Sequence, residues 1–146
     1  IRKNKLEIHD FILKHIKIKK GSNVLEVGCF IGDLLFFLKK KYNSKVYGIE
    51  PSKYACKYAK KYYKLNLENK TFLNSKLFVS TKKNYQKFDL IIIDDVLSTG
   101  STMSKTIQSL RPQGANVSLC MVLVNKTERN EIDGVPLRGI IRAVKV

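Results

Sequence analysis

The stretch Leu90-Ile91-Ile92-Ile93-Asp94-Asp95-Val96-Leu97-Ser98-Thr99-Gly100-Ser101-Thr102 decides how the chain is read. Its four leading apolar residues, introduced by Phe88-Asp89, form the unbroken run that a strand buried on both faces requires. Two adjacent carboxylates follow, then a short loop of hydroxyls with one glycine. Helical spacing takes over from Ser101 to Leu110 and is closed by Arg111-Pro112-Gln113-Gly114. A buried strand that passes through a small-residue loop into a helix is the repeating unit of a parallel α/β sheet.

The same unit recurs upstream. Asn23 to Gly28 reads as a short buried strand, and Asp33 to Tyr42 as a helix with a broad apolar face. Lys45 to Glu50 is a second strand, and Pro51 starts a helix over Ser52 to Lys64. Before them, Ile8, Phe11, Ile12 and Ile16 predict an opening helix that ends at Gly21-Ser22. Residues 65–87 predict a weak strand or hairpin and a loop. Downstream, Ala115 to Val124 reads as a strand, Asp133-Gly134 as a turn and Gly139 to Val146 as a last strand. The expected fold class is α/β: a three-layer α/β/α arrangement with a mainly parallel, Rossmann-like sheet. One domain is expected over all 146 residues, long enough for a single buried core.

Charge divides the chain unevenly. Residues 1–88 hold 20 Lys, one Arg and six acids; residues 89–146 hold three Lys, four Arg and six acids, so the nets are +15 and +1. Lysine-decorated, solvated helix faces account for this first, and a nucleic-acid partner second, since clustered Lys attracts phosphate without reading sequence. Tyr54, Tyr58 and Tyr62 recur at four-residue spacing, which suits a packing face or base stacking. The drop in Lys near residue 88 also suggests two segments of different history, with a seam near residues 88–95. Hydrophobic residues at 44% exclude a disordered tail. No apolar run reaches the roughly 18 residues of a membrane span. The chain opens at Ile1 without a charged-then-apolar leader, so a cytoplasmic location is expected. Cys29, Cys56 and Cys120 are too few and too scattered for a disulfide framework or a four-cysteine zinc site, and reduced thiols are expected. His9 and His15 are spaced wrongly for a helical metal pair, and no metal-ligating residue is assigned.

In parallel α/β sheets, ligands bind outside the carboxyl ends of the strands. Two segments meet that condition. After the central strand, Asp94 and Asp95 can accept hydrogen bonds from a sugar diol. Ser98, Thr99, Ser101 and Thr102 offer hydroxyls, Gly100 permits a tight turn, and the helix start suits a phosphate. A ribose 5-phosphate combines these needs. In the second segment, Val24-Leu25-Glu26-Val27-Gly28-Cys29-Phe30-Ile31-Gly32-Asp33, a strand turns through two glycines into a helix. About twenty residues on, Glu50 ends the next strand, placed for a ribose diol.

Two family resemblances follow. Residues 88–146 resemble type I phosphoribosyltransferases, through the paired acids and hydroxyl-rich loop. Their tail, with Gly114-Ala115-Asn116-Val117 and Glu131-Ile132-Asp133-Gly134-Val135-Pro136, resembles the archaeal orotate phosphoribosyltransferase-like group, some of which are regulators. That resemblance implies 5-phosphoribosyl-1-pyrophosphate (PRPP) as substrate, Mg²⁺ bridging its oxygens, Asp94 and Asp95 as catalytic residues on the ribose, and Ser98 to Thr102 as the phosphate loop. A nucleobase such as orotate would be the acceptor. Gly28 to Asp33 would supply the pyrophosphate turn, and Lys76, Lys82 or Lys83 a loop cation.

Residues 4–95 resemble class I S-adenosylmethionine-dependent methyltransferases, whose Glu-x-Gly-x-Gly-x-Gly turn Glu26 to Gly32 matches except for Phe30 at the middle glycine. Here Glu26, Gly28, Gly32 and Glu50 would bind S-adenosylmethionine. The phosphoribosyltransferase is the leading expectation and the methyltransferase the alternative. A third is a non-catalytic regulatory module or a chimera of both families. The expected partner is a nucleotide-like small molecule; a homodimer stays possible and no membrane is expected.

Overall fold

The computed structural model describes residues 10, 13–14, 17–79, 88–93, 96–113, 117 and 119–143. At its centre lies β1 (Asn23–Val27), flanked on both sides by parallel neighbours: β2 (Lys45–Ile49) and β3 (Leu90–Ile93). A strand paired on both edges and covered on both faces has no position for water. Val24 and Leu25, which point to opposite faces, are both fully buried. In register, Glu26 stands between Gly48 and Ile92. A parallel bridge from Ile49 to Glu68 adds a short outer edge beyond β2.

Helix α1 (Asp33–Tyr42) buries Leu34, Leu35 and Leu38, the stripe its spacing predicts. Asp33 sits at the positive end of its dipole and Lys39, Lys40 and Lys41 at the negative end. Asn43 ends it in the left-handed conformation. Helix α2 (Lys53–Tyr58) is capped by the Ser52 hydroxyl, which accepts from the Ala55 N–H at 3.3 Å. It runs on through a π-helical turn, Ala59–Tyr63. Val24, Cys29, Leu34, Leu35, Leu38, Ala59 and Leu65 form one apolar cluster.

The second sheet has the order β4-β5-β7-β6: β4 (Val96–Leu97), β5 (Cys120–Asn125), β6 (Glu131–Ile132) and β7 (Val135–Arg142). β4, β5 and β7 are parallel, and β6 pairs antiparallel with β7 across Asp133-Gly134, both residues at positive φ. Between β4 and β5 lies α4 (Ser101–Leu110), following the short α3 (Lys76–Val79) of the first half. Leu97, Met103, Ile107, Cys120, Val122, Ile132, Val135 and Leu137 make a second apolar cluster, sharing no member with the first among the described residues. β3 runs beside β5, and there the two sheets adjoin.

The α/β class and the mainly parallel pairing agree with expectation, but the strands fall into two sheets, of three and four strands, where one was expected. Several boundaries moved. The predicted strand Ala115–Val124 starts only at Cys120, and the last strand begins at Val135 rather than Gly139. Residues 65–79 hold the bridge at Glu68, a 3-10 turn (Phe72–Asn74) and α3 instead of a hairpin. Of the opening helix only Asp10, Leu13 and Lys14 are described, and these are helical. His9, His15, Lys82, Lys83, Asp94 and Asp95 lie outside the described residues. None of the three cysteines is in a disulfide. Among the described residues no helix is long and apolar enough to cross a membrane.

Candidate functional site

The carboxyl ends of β1 and β2 open into one turn. Gly28, Phe30 and Gly32 alternate along it with φ of 73°, 47° and 76°. All three positions of the glycine repeat therefore take left-handed backbone, the middle one with a phenylalanine. A side chain in that region costs about 1–2 kcal/mol. The ring of Phe30 stands 57% exposed at the rim. The turn is fixed from below: the Gly28 N–H donates to the Ile49 carbonyl at 2.8 Å and the Gly32 N–H to the Cys29 carbonyl at 2.8 Å. A side chain at Gly28 would meet nothing within 4 Å among the described residues, so its backbone faces space they leave open. At Gly32 the same addition would touch Leu65 at 3.0 Å.

Glu50 joins the two strand ends. Its carboxylate is buried and accepts from the Phe30 N–H at 2.8 Å and the Ser52 N–H at 2.7 Å. One acid thus holds both the glycine turn and the entry to α2. Glu26 is the second acid. Its Oε2 is buried without a hydrogen-bond partner. Burial pushes its carboxyl up to about 8, and the charges of Asp33 and Glu50 push in the same direction. A buried acid with an orphan oxygen at a strand end is costly, and such exceptions gather at functional sites. Asp33 accepts a short hydrogen bond from the Tyr63 hydroxyl. Burial also raises the Cys29 thiol far above its usual range, and that thiol donates weakly to the Ile49 carbonyl, 3.7 Å away.

Sequence reasoning missed Glu68 and Asn69. The Asn69 amide donates to the carbonyls of Glu50 and Pro51 at 3.0 and 2.9 Å. Glu68 accepts from the Ser75 hydroxyl at 2.6 Å and the Lys76 N–H at 2.8 Å. These bonds hold its carboxyl below its ordinary value although burial opposes them. The available signal was an acid at or near the end of each successive strand-like segment: Glu26, Glu50, then Glu68.

The loop after β4 is built differently. Thr99 Oγ1 accepts from the Ser101 N–H at 3.3 Å and donates to the Ser101 hydroxyl at 3.2 Å. Gly100 caps α4 in the left-handed conformation, leaning on Ile132. Thr106 donates to the Thr102 carbonyl at 2.8 Å and Ser104 to Asp133 at 2.7 Å. These hydroxyls serve the helix and its neighbouring turn.

A parallel sheet whose ligand-facing edge carries a glycine turn and buried acids defines a Rossmann-like α/β protein. A family model described as a methyltransferase domain matches residues 18–132, and the chain belongs to that family. Among solved structures, a Galdieria sulphuraria protein assigned as a sarcosine dimethylglycine methyltransferase shares the fold with TM-score 0.50 and 14% identity, over 64% of this chain and 36% of that one. PKMT2 of Rickettsia typhi, in complex with AdoHcy, gives TM-score 0.48 and 24% identity over 68% and 20% of the two chains. Among curated proteins, the transcriptional regulator GfcR of Picrophilus torridus is 43% identical over 58 residues, 40% of this chain. The chain spans 30% of that regulator's length.

The phosphoribosyltransferase expectation is therefore corrected. The methyltransferase match runs through the strand and loop on which that expectation rested. Within residues 98–102, the Thr99 hydroxyl has a simpler use: it accepts from the Ser101 N–H, one of the free N–H groups of the helix start. PRPP and its bridging Mg²⁺ fall with that reading.

Proposed function

We propose that the glycine turn between β1 and α1 holds S-adenosylmethionine and that the chain is part of a methyltransferase using it. The observation that carries this reading is one cradle: space over Gly28 that no described residue fills, beside buried Glu50 and a buried, unpartnered oxygen of Glu26. These residues fit the cofactor. The bare backbone at Gly28 permits close approach of a ligand. Glu26 offers an unfilled hydrogen-bonding oxygen, and the spare acceptor sites of Glu50 suit ribose hydroxyls. Gly32 lets α1 start close against Leu65, which keeps the turn in place. When bound, the cofactor supplies a methyl group activated by its sulfonium. The chain's own part is to hold and orient it and to exclude water from one side. Titration calorimetry with S-adenosylmethionine and S-adenosylhomocysteine is expected to show saturable binding that is lost in Glu50→Ala. A folded, unmutated chain that binds neither would overturn the reading.

The identity with a transcriptional regulator favours a second reading, a regulatory module that binds the cofactor without turnover. Incubation with the methyl-labelled cofactor and a cell extract separates the two, because only an enzyme transfers label. The drop in lysine supports a junction near residues 88–95. Since the family match crosses that junction, it would join two parts within one methyltransferase-like domain.

A further inference from the structure

Residues 51–67 contain no acid, and neither do residues 34–49. The helix of α2 and its π-helical turn places Lys53, Lys57 and Lys61 in step with Tyr54, Tyr58 and Tyr62, each series at four-residue spacing. Tyr58 is half-buried, but Tyr54 and Tyr62 are not part of a packing face. Tyr54 is 70% exposed and Tyr62 56%, while Ala55 and Ala59 turn into the core instead. From Tyr62 the aromatic surface continues ring to ring. Tyr58 lies 4.5 Å away between centroids, Tyr63 5.9 Å beyond it, and Phe36 of α1 another 4.6 Å on. Each end of this row carries an ammonium over a ring: Lys61 at 5.0 Å from Tyr62 and Lys40 at 5.7 Å from Phe36. Lys60 is exposed beside it. Lys41, nearby, is engaged with Asp10 at 3.7 Å.

Lysines alone would attract any polyanion. Exposed rings interleaved with them add a second requirement, a ligand that presents flat apolar faces between its charges. A single-stranded nucleic acid has that chemistry, with phosphates at every step and unpaired bases free to stack. We propose that the face formed by α2, its π-helical turn and the end of α1 binds single-stranded nucleic acid. Lys57, Lys60 and Lys61 engage phosphates, and Tyr54 and Tyr62 stack on bases. This surface does not involve the glycine turn, so it stands whether or not the methyltransferase reading does.

The test is fluorescence anisotropy on the full chain with a labelled 20-nucleotide single-stranded DNA of mixed sequence. Binding is expected, with the duplex of the same sequence about tenfold weaker because its bases are not free to stack. Tyr54→Ala with Tyr62→Ala should weaken binding by at least about tenfold and leave the salt slope unchanged; the Phe versions should restore it. Replacing Lys57, Lys60 and Lys61 by Gln should lower the slope of log K against log salt by about 2. Both tyrosines are exposed, so their variants are expected to keep the parent's melting temperature. The proposal is overturned if the Ala variants bind as the parent does. It is equally overturned if heparin or anionic lipid vesicles bind and the single strand does not.

Discussion

Glu26 is the residue at which this chain departs furthest from what a buried strand tolerates. Its neighbours in register are Gly48 and Ile92, and the charged groups facing it, Asp33 and Glu50, are both acidic. The folded protein therefore holds the Glu26 proton up to about pH 8, whereas an unfolded chain releases it near 4.5. Between those values the folded state binds more protons than the unfolded one, so stability falls as pH rises through that window. Glu26→Gln stays neutral throughout and loses this dependence. Its melting temperature should gain on the parent by several degrees between pH 5 and pH 8.5, measured by scanning calorimetry in matched salt. Melting curves that stay parallel across that range would show that Glu26 is already ionised when folded. The Phe30 position makes a related point. The glycine repeat was legible as a turn, and all three repeat positions are left-handed, but which way the phenylalanine ring would go was not.

At the scale of elements, the packing of β2 against the turn depends on one absent side chain. A Cβ on Gly48 would come within 2.6 Å of both Cys29 Sγ and Leu67 Cδ2, and within 2.9 Å of Leu35 Cδ1. Three segments converge on that point, so Gly48→Ala must push at least one of them away. Overpacking of this kind costs about 1–3 kcal/mol, and the urea midpoint should fall accordingly with little change in the m-value. A variant as stable as the parent would mean that the turn yields freely. The elements themselves were legible where the physics is local. α1 and α4 match their predicted limits because an apolar stripe, a glycine start and a closing signal all agree. β7 was misplaced because Pro136 and Gly139 both argue against a strand interior. Pro136 is tolerated because it lies opposite Glu131 in the short hairpin rather than within the β5 pairing. Gly139 is required because Asn125 Cβ lies 2.8 Å from where its side chain would begin. Both reasons are tertiary. The functional reading failed for a similar cause: a hydroxyl-rich helix start is the same string of residues whether it holds a phosphate or caps its own helix.

Over the whole molecule, the step in charge coincides with a step in packing. The apolar cluster of Val24 to Leu65 belongs to the part that carries +15, and the cluster of Leu97 to Leu137 to the part that carries +1. Only one of the two parts works against strong self-repulsion. We infer that the chain opens in two steps, with β1, β2 and α1 exchanging before β5, β7 and α4. Native-state hydrogen exchange in rising, sub-denaturing urea resolves such units as separate isotherms. Salt distinguishes charge from packing as the cause. Raising ionic strength from about 0.01 M to 0.15 M shortens the Debye length from about 30 Å to 8 Å, which screens the lysine-rich part and leaves the nearly neutral part almost unchanged. The opening free energy of the first group should therefore rise with salt while that of the second stays level. If all protected amides merged into one isotherm with one salt response, the sheet would be a single cooperative unit. The charge step would then mark only the surface.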